Sequence, residues 1–588
     1  MTGDDRTEPS DDTPPPVTGV GHGDGEDAVE VPDGAGAAAP DSLDEVLAVA
    51  DPSDPAATTS ERDQPGRPPD APGEPDDSER TDVEVEVKLG AWPGFAVPDL
   101  DGLVPGVRAG TPVERTLDAV YHDTADLRLV RSGITLRHRT GEGGTDGRWT
   151  LKQDAPGAGA VDEVAGAMAR HEHDVDGSGG PVPTELTTIA RPHARAGAIG
   201  PVAHLQTVRR STPLADGDGR LVASIDDDEV SVLADGRVAA RFREVEVEVL
   251  AGAPSGLLGA LVDRLREAGA GEPDPTAKLV RALGPRALQP PDLRAADVGD
   301  TSTATEVIAA GIANAALRVV VNDAVIRADR EPEGIHQARV GTRRLRSDLR
   351  TFGPLLDRAW VDPIRDELKW FAGLLGEVRD RDVMKARLGR QATALADADQ
   401  EAVLAVLGTL DKERTRAIAR AVAALDGRRY VLMLERLVAA AAAPRVLPGA
   451  DAPAAEALPP LAGHAFRKLR KGVEALGKHP ADEALHEVRI LAKKARYAAD
   501  VAVPVVGDDA KAYTKAVAGL QDVLGDHHDC AVAEEWLRAR AARATRVQAF
   551  ALGQLVAHQH HEASRLRGEW RAAWDAVDRK KLLRWMES

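Results

Sequence analysis

The hydrophobic period of the chain changes once, near residue 300. Between about 82 and 286 apolar and polar residues alternate in short runs, the period-2 pattern of strands. In TDVEVEVKLG, residues 81–90, Val83, Val85 and Val87 share one face, and Glu84, Glu86 and Lys88 share the other. LDAVYHD (117–123), GITLRHR (133–139), WTLKQD (149–154), RLVASIDDD (220–228) and RVAARFREVEVEVL (237–250) follow, separated by Gly- and Asp-rich turns. A helix is predicted over roughly 254–269, ended by Gly269 and Gly271. Many short strands closed by turns predict an antiparallel barrel or curved sheet. From about 303 onward apolar positions recur every 3.6 residues, Ala and Leu dominate, and an all-α bundle is predicted. The fold class is α+β multidomain: an N-terminal antiparallel β-barrel (82–286), a linker (287–302) and a helical bundle (303–588).

The polar faces of the strands carry one sign at a time. Thr135, Arg137 and Arg139 share a face, as do Thr150 and Lys152, while Glu244, Glu246 and Glu248 oppose Val245, Val247 and Val249. The parity of Asp226, Asp227 and Asp228 is open. A solvated face is the ordinary reading of each strand alone. Three glutamates at i, i+2 and i+4, however, repel one another unless a cation lies among them. If these faces line a barrel interior, carboxylates from two strands can hold a divalent metal, and the basic residues can hold a polyanion beside it.

The helical half contains a repeat. GIHQARVGTRRLRSDLRTF (334–352) aligns with ALHEVRILAKKARYAADVA (484–502), and LLGEVRDRDV (374–383) with VLGDHHDCAV (523–532). His336 matches His486, Arg339 matches Arg489, Arg343 and Arg344 match Lys493 and Lys494, and Arg346 matches Arg496. The constant offset points to a duplication, with repeats over about 303–440 and 455–588. Positions i, i+3, i+7 and i+10 lie along one helix face, so each copy presents a cationic stripe. Beside it runs a mostly apolar stripe: Ile335, Ala338, Thr342, Leu345 and Leu349 in the first copy. No acidic residue lies within the cationic stripes, although Asp380, Asp382 and Asp529 are placed to pair with some of their cations. Two such stripes suit a linear polyanion. The adjacent His527 and His528 point about 100° apart on a helix, which argues against a local metal site.

Charge and cysteine content narrow the setting. The net charge is −22, but residues 1–82 hold 23 acidic and 4 basic residues, so the remainder is nearly neutral. With few apolar residues and no period, residues 1–81 are expected to be a disordered acidic tail. The single cysteine, Cys530, excludes an intrachain disulfide and fits a reducing compartment. Neither a leader pattern nor a run of about 18 uncharged apolar residues is read in the sequence, so a soluble, cytoplasmic protein without membrane partners is expected. A near-neutral folded part with few aromatics argues against nucleic acid.

The ordered set Glu84-x-Glu86-x-Lys88, basic strands, a late Glu-x-Glu-x-Glu and a lysine after the last helix resembles the CYTH family of triphosphate tunnel metalloenzymes. The resemblance covers roughly 82–286. It implies that Glu84, Glu86 and Lys88 are catalytic and that Glu84 and Glu86 bind Mg²⁺ or Mn²⁺. Glu246 and Glu248 would complete the metal set from the opposite wall, with Asp226 and Asp228 as candidates from the aspartate cluster. Arg137, Arg139, Lys152, Lys278 and one of Arg209 and Arg210 would bind phosphate. Inorganic triphosphate is the expected substrate; thiamine triphosphate or adenylyl cyclase chemistry finds no aromatic-lined site in the sequence.

Residues 303–588 resemble the CHAD family, the conserved-histidine α-helical domain associated with inorganic polyphosphate. That implies polyphosphate contacts from His336, Arg339, Arg343, Arg344 and Arg346, and from His486, Arg489, Lys493, Lys494 and Arg496. It also implies association with polyphosphate granules. The alternative is a barrel without catalysis in a polyphosphate-binding scaffold.

Overall fold

The computed structural model describes residues 83–142, 146–154, 164, 166–329 and 331–587. The acidic segment over 1–81 lies outside them, and of Glu84 only the backbone is described.

Nine strands build the first domain: β1 (Val83–Gly90), β2 (Arg108–Ala109), β3 (Val113–Asp123), β4 (Thr135–Thr140), β5 (Arg148–Asp154), β6 (Met168–Asp176), β7 (Gly200–Ala215), β8 (Leu221–Ala234) and β9 (Arg237–Val249). Eight follow one another in the order β7-β3-β4-β5-β6-β1-β9-β8, and β8 pairs back onto β7. The result is a closed antiparallel barrel with no free edge among these strands, and β2 adds a short pairing beside β7. Helices α1 (Arg128–Arg131), α2 (Thr184–Ala194), α3 (Leu257–Glu267) and α4 (Lys278–Leu283) decorate it.

The apolar face of the barrel wall points outward. Val87, Ile225, Val245 and Val247 are buried against Leu257, Leu258, Leu261 and Leu265 of α3. Leu136, Trp149 and Leu151 are buried with Leu186 and Ala190 of α2. Since strand side chains alternate, covering the apolar face from outside turns the charged face of each strand into the interior.

The second domain begins with α5 (Ala304–Val321), capped by a reciprocal Thr303–Glu306 box, and continues through α6 (Asp323–Ala328), α7 (Pro332–Thr351), α8 (Arg358–Ala392), α9 (Asp397–Leu425) and α10 (Arg428–Ala442). Then come α11 (Ala454–Glu474), α12 (Asp482–Asp500), α13 (Val503–Val506), α14 (Asp508–Ala541), α15 (Arg546–Val577) and α16 (Lys580–Leu583). The duplication is visible as α5, α7, α8 and α9 repeated by α11, α12, α14 and α15. The two repeats also begin side by side: Ala304 N donates to Ala452 O at 3.1 Å and Ala454 N to Ser302 O at 2.8 Å. The predicted apolar stripe of α7 is buried throughout, against Ile308 and Ile312 of α5 and Val488 and Ala492 of α12.

Ala304–Ala328 is long and apolar enough to cross a membrane by length and composition, although it carries Glu306 and Arg318 and 56% of its most apolar 18-residue window is buried in the bundle. Its apolarity is what a central core helix requires, and Ile308, Ile312 and Ala316 are fully covered. The segment between the domains is pinned rather than loose. Asn314 bonds both ways to Ala296, and Arg131 Nε donates to Pro290 O at 3.0 Å. At the domain junction Glu435 of α10 accepts from Arg128 at 2.7 Å and from Ala196 N at 3.2 Å.

Candidate functional site

The barrel interior encloses a cavity of about 190 Å³. One wall is basic: Arg137 and Arg139 from β4, Lys152 from β5 and Arg170 from β6. The facing wall is acidic: Glu86 from β1 and Glu246 and Glu248 from β9, with Lys88 and Lys278 set among them. Lys278 opens α4, the second helix after the last strand, and this first side chain of the helix lines the cavity.

Strand register explains the polarity. Glu86 stands directly opposite Glu248 across β1 and β9, and Lys88 opposite Glu246. Asp226 and Asp228 of β8 stand opposite Glu246 and Glu244. Like charges placed directly opposite are destabilising unless a cation intervenes, and cations do. Arg209 bonds Asp228 at 2.8 and 2.6 Å and Glu246 at 3.0 Å, and also pairs with Asp226. Lys278 Nζ lies 2.7 Å from Glu244, 2.8 Å from Glu246 and 3.0 Å from Asp228. Lys88 donates to Glu86 at 2.5 Å. Burial by itself would raise the Glu246 carboxyl, but Lys278, Lys88 and Arg209 hold it well below the usual carboxylate range. Lys278 is raised well above an ordinary lysine because Glu244, Glu246 and Asp228 outweigh the cost of burying its charge.

Glu86, Glu246 and Glu248 offer hard oxygens of the kind that suits Mg²⁺ or Mn²⁺. Among the described residues, however, no three acidic or histidine side chains are gathered closely enough to hold an ion as they stand. Glu86 and Glu248, directly opposite and on the same cavity, are the pair a divalent ion would relieve, with Glu246 beside them. Asp226 Oδ1 is buried without a hydrogen-bond partner among the described residues, a further unsatisfied oxygen behind the acidic wall.

Of the residues the sequence singled out, Glu86, Lys88, Arg137, Arg139, Lys152, Arg209, Lys278, Glu246 and Glu248 converge on this cavity. Asp226 and Asp228 point inward but lie behind Arg209, not on the open surface. Their neighbour Asp227 points outward to Arg243, with bonds of 2.8 and 2.7 Å, which settles the parity of the cluster. Arg210 is corrected: it lies on the outer face, bonded to Glu114 at 3.0 Å and Glu229 at 2.9 Å. Sequence reasoning missed Arg170 and Glu172 because β6, MARHEHDVD, has almost no apolar residues to mark a strand. It alternates nonetheless: Arg170 and Glu172 face inward, and Glu172 stands opposite Lys152 and pairs with it. Tyr121 of β3 also reaches the cavity. Its burial would raise the phenol, yet Arg137, donating at 3.4 Å, lowers it overall.

The cationic stripes of the bundle meet in a cleft between α7 and α12. Arg343, Arg346 and Arg350 line it from one side and Lys493, Lys494 and Tyr497 from the other; no carboxylate is among its lining residues. Arg350 and Tyr497 add to the residues expected. Deeper along the stripes the charges are enclosed. Arg339 lies 3.2 Å from Asp380 of α8, both almost fully buried. Arg489, fully buried, faces Asp529 of α14, whose carboxyl burial pushes up to about 7 against the pull of Arg489. Asp380 and Asp529 therefore play the pairing role their spacing suggested. Arg496 sits 3.7 Å from Asp500. Arg344 is corrected, since it faces away from the cleft, 3.8 Å from Asp348. His336 is buried, and the His486 ring lies 4.1 Å from that of His528.

A closed antiparallel barrel with opposed acidic and basic inner walls, followed by a duplicated histidine-bearing helical bundle, defines a two-domain class: a triphosphate tunnel fold joined to a conserved-histidine helical domain. Comparison with known proteins agrees. Residues 82–279 match the CYTH domain and residues 310–538 the CHAD domain. "Uncharacterized protein MT2285" of Mycobacterium tuberculosis (strain CDC 1551 / Oshkosh) is 31% identical over 536 residues, 84% of this chain and 96% of its own length. Among solved structures, PptA from Streptomyces chartreusis is 24% identical with a TM-score of 0.41, covering 47% of this chain and 100% of its own. The CHAD domain from the plant Ricinus communis is 26% identical with a TM-score of 0.39, covering 48% and 96%. The chain belongs to the CYTH and CHAD domain-containing proteins, and its barrel stands among the triphosphate tunnel metalloenzymes.

Proposed function

We propose that the barrel hydrolyses inorganic triphosphate and that the helical bundle binds polyphosphate, holding the enzyme on its polymer in the cytoplasm. The observation that carries the catalytic reading is the division of one enclosed cavity into a basic and an acidic wall. Arg137, Arg139, Lys152 and Arg170 would grip the phosphate oxygens, and Arg forks match them in geometry as well as charge. Glu86, Glu246 and Glu248 would hold Mg²⁺ or Mn²⁺, which neutralises charge developing on the phosphates. Lys88 and Lys278 hold the Glu246 carboxylate ionised and would exchange partners with the incoming anion.

The bundle's part of the reading rests on the acid-free lining of the α7–α12 cleft. The non-catalytic scaffold is the second reading. It draws on the close pairing of Glu246 with Arg209 and Lys278 and of Glu86 with Lys88, which gives these two carboxylates a cation without any metal.

Phosphate release from tripolyphosphate, with Mg²⁺ or Mn²⁺ and beside Glu86→Gln, separates the two. The catalytic reading expects metal-dependent release that falls by at least about 10²-fold in the variant, the scale of losing one preorganised electrostatic group. No release from the parent protein, with polyphosphate still bound, would leave the scaffold.

A further inference from the structure

On the side of α7 away from the cationic cleft, a second cavity of about 250 Å³ opens where the two repeats meet. Val307, Ala310, Phe352 and Val501 make much of its lining apolar. Gly311 of α5 also lines it, and a Cβ there would meet nothing within 4 Å. No packing constraint therefore calls for glycine at this mid-helix position, where it costs about 1 kcal/mol relative to alanine.

Four charged side chains line this space, Arg318, Arg344, Asp348 and Asp500, and two of them, Asp348 and Arg318, lack a close partner of opposite charge among the described residues. Asp348 is 4% exposed, and its Oδ1 has no hydrogen-bond partner among the described residues. Its other oxygen lies 3.8 Å from Arg344 Nε, too far for a hydrogen bond. Arg318 lays its stem over Gly341, whose added Cβ would come within 3.3 Å of it, and no ion pair of its guanidinium is found among the described residues. A buried acceptor without a donor costs about 1–3 kcal/mol. Burial, opposed by Arg344 and reinforced by Asp500, pushes the Asp348 carboxyl up to about 7. One cavity thus holds an acid lacking a donor and a cation lacking an ion-pair partner, and the two do not pair with each other.

We propose that this cavity binds a small zwitterion, an α-amino acid with an apolar side chain, through Asp348 and Arg318. The ligand ammonium donates to Asp348, its carboxylate accepts from Arg318, and its side chain packs against Val307 and Phe352. The volume admits a leucine-sized molecule. An amine or a monocarboxylate alone pairs with one charged group and leaves the other without a counter-ion.

The test is calorimetric titration of the full chain with L-leucine, isoamylamine and 4-methylpentanoate near pH 8, where Asp348 is mostly ionised. Saturable binding of L-leucine is expected, at least about tenfold tighter than either analogue. It should weaken about tenfold in Asp348→Asn and as pH falls toward about 6. Gly311→Leu, which fills the space without touching either charge, should abolish it while the thermal transition and polyphosphate binding persist. The proposal is overturned if neither L-leucine nor L-valine, L-isoleucine or L-methionine binds the parent protein saturably at ~10 mM, weaker than the millimolar scale of marginal affinity. Unchanged L-leucine binding in a folded Gly311→Leu variant overturns it equally.

Discussion

The barrel interior and the helical cleft both gather cations, but they surround them in different ways. In the barrel each buried acid is answered by an arginine or lysine at hydrogen-bond distance, as Glu246 is by Lys278 and Arg209. In the cleft Arg343, Arg346 and Arg350 face Lys493 and Lys494 with no carboxylate in the lining. The difference follows from enclosure. A closed interior has little water to screen charge, so it must balance itself before any ligand arrives. A cleft open to solvent is screened by water and counterions and needs no such balance within its own lining. On the proposed reading, binding in the barrel would be an exchange of partners, which rewards a ligand carrying both metal and phosphate. Binding in the cleft would be counterion release, which rewards any long polyanion.

The largest effect expected of this contrast is on folding. Lys278→Met leaves Asp228, Glu244 and Glu246 without the ammonium they share. Removing one partner from a buried ionic cluster costs about 3–5 kcal/mol, whereas Arg343→Met in the cleft should stay within about 0.5 kcal/mol, as for surface substitutions. Denaturant unfolding followed at a barrel-specific probe measures both. Equal, small effects would mean that the barrel's ion pairs are as solvated as the cleft's.

Buried acids in the two domains should also respond differently to pH. Cations hold Glu246 ionised, so its contribution is present above the unfolded carboxylate pKa and is lost only as pH falls through its depressed folded value. Asp348 in the bundle is raised to about 7, chiefly by burial. The native state then binds a proton that the unfolded chain has already released between about pH 4 and 7, and stability falls through that window as pH rises. A full shift is worth about 1.4 kcal/mol per pH unit, so Asp348→Asn should gain about 2 kcal/mol on the parent between pH 5 and 7. Parallel stability curves for the two proteins would show that Asp348 is ionised at low cost, and would erase this part of the contrast.

What the sequence disclosed depended on whether a neighbour was needed to read it. Alternation in β1 and β9 assigned Glu86, Glu246 and Glu248 to one face without any partner strand. It failed at Asp226–Asp228, where three like residues in a row hide the period, and at Arg209 and Arg210, adjacent on β7, where only the pairing with β8 shows which points inward. β6 was invisible because its two faces bear histidines and charges in place of valines. In the helices, spacing placed Arg339 and Arg343 on one stripe. Their fates differ because Asp380 on α8 draws Arg339 inward while Arg343 stays in the cleft, and a single helix cannot reveal that depth.

The smallest effect is also the one that most directly tests counterion release. Arg346→Ala removes one cation from the cleft without touching the apolar stripe of α7, so folding should be preserved. Polyphosphate affinity should fall about fivefold to tenfold, roughly 1–1.4 kcal/mol. The slope of log affinity against log salt should flatten by about one for each cation removed, as for phosphate contacts elsewhere. Triphosphate hydrolysis in the barrel should not change, because none of its cavity residues is altered. The salt slope is the decisive reading. A loss of affinity with the slope intact would mean that Arg346 orients the polymer through directed hydrogen bonds, making the cleft a shaped site like the barrel and dissolving the distinction between the two.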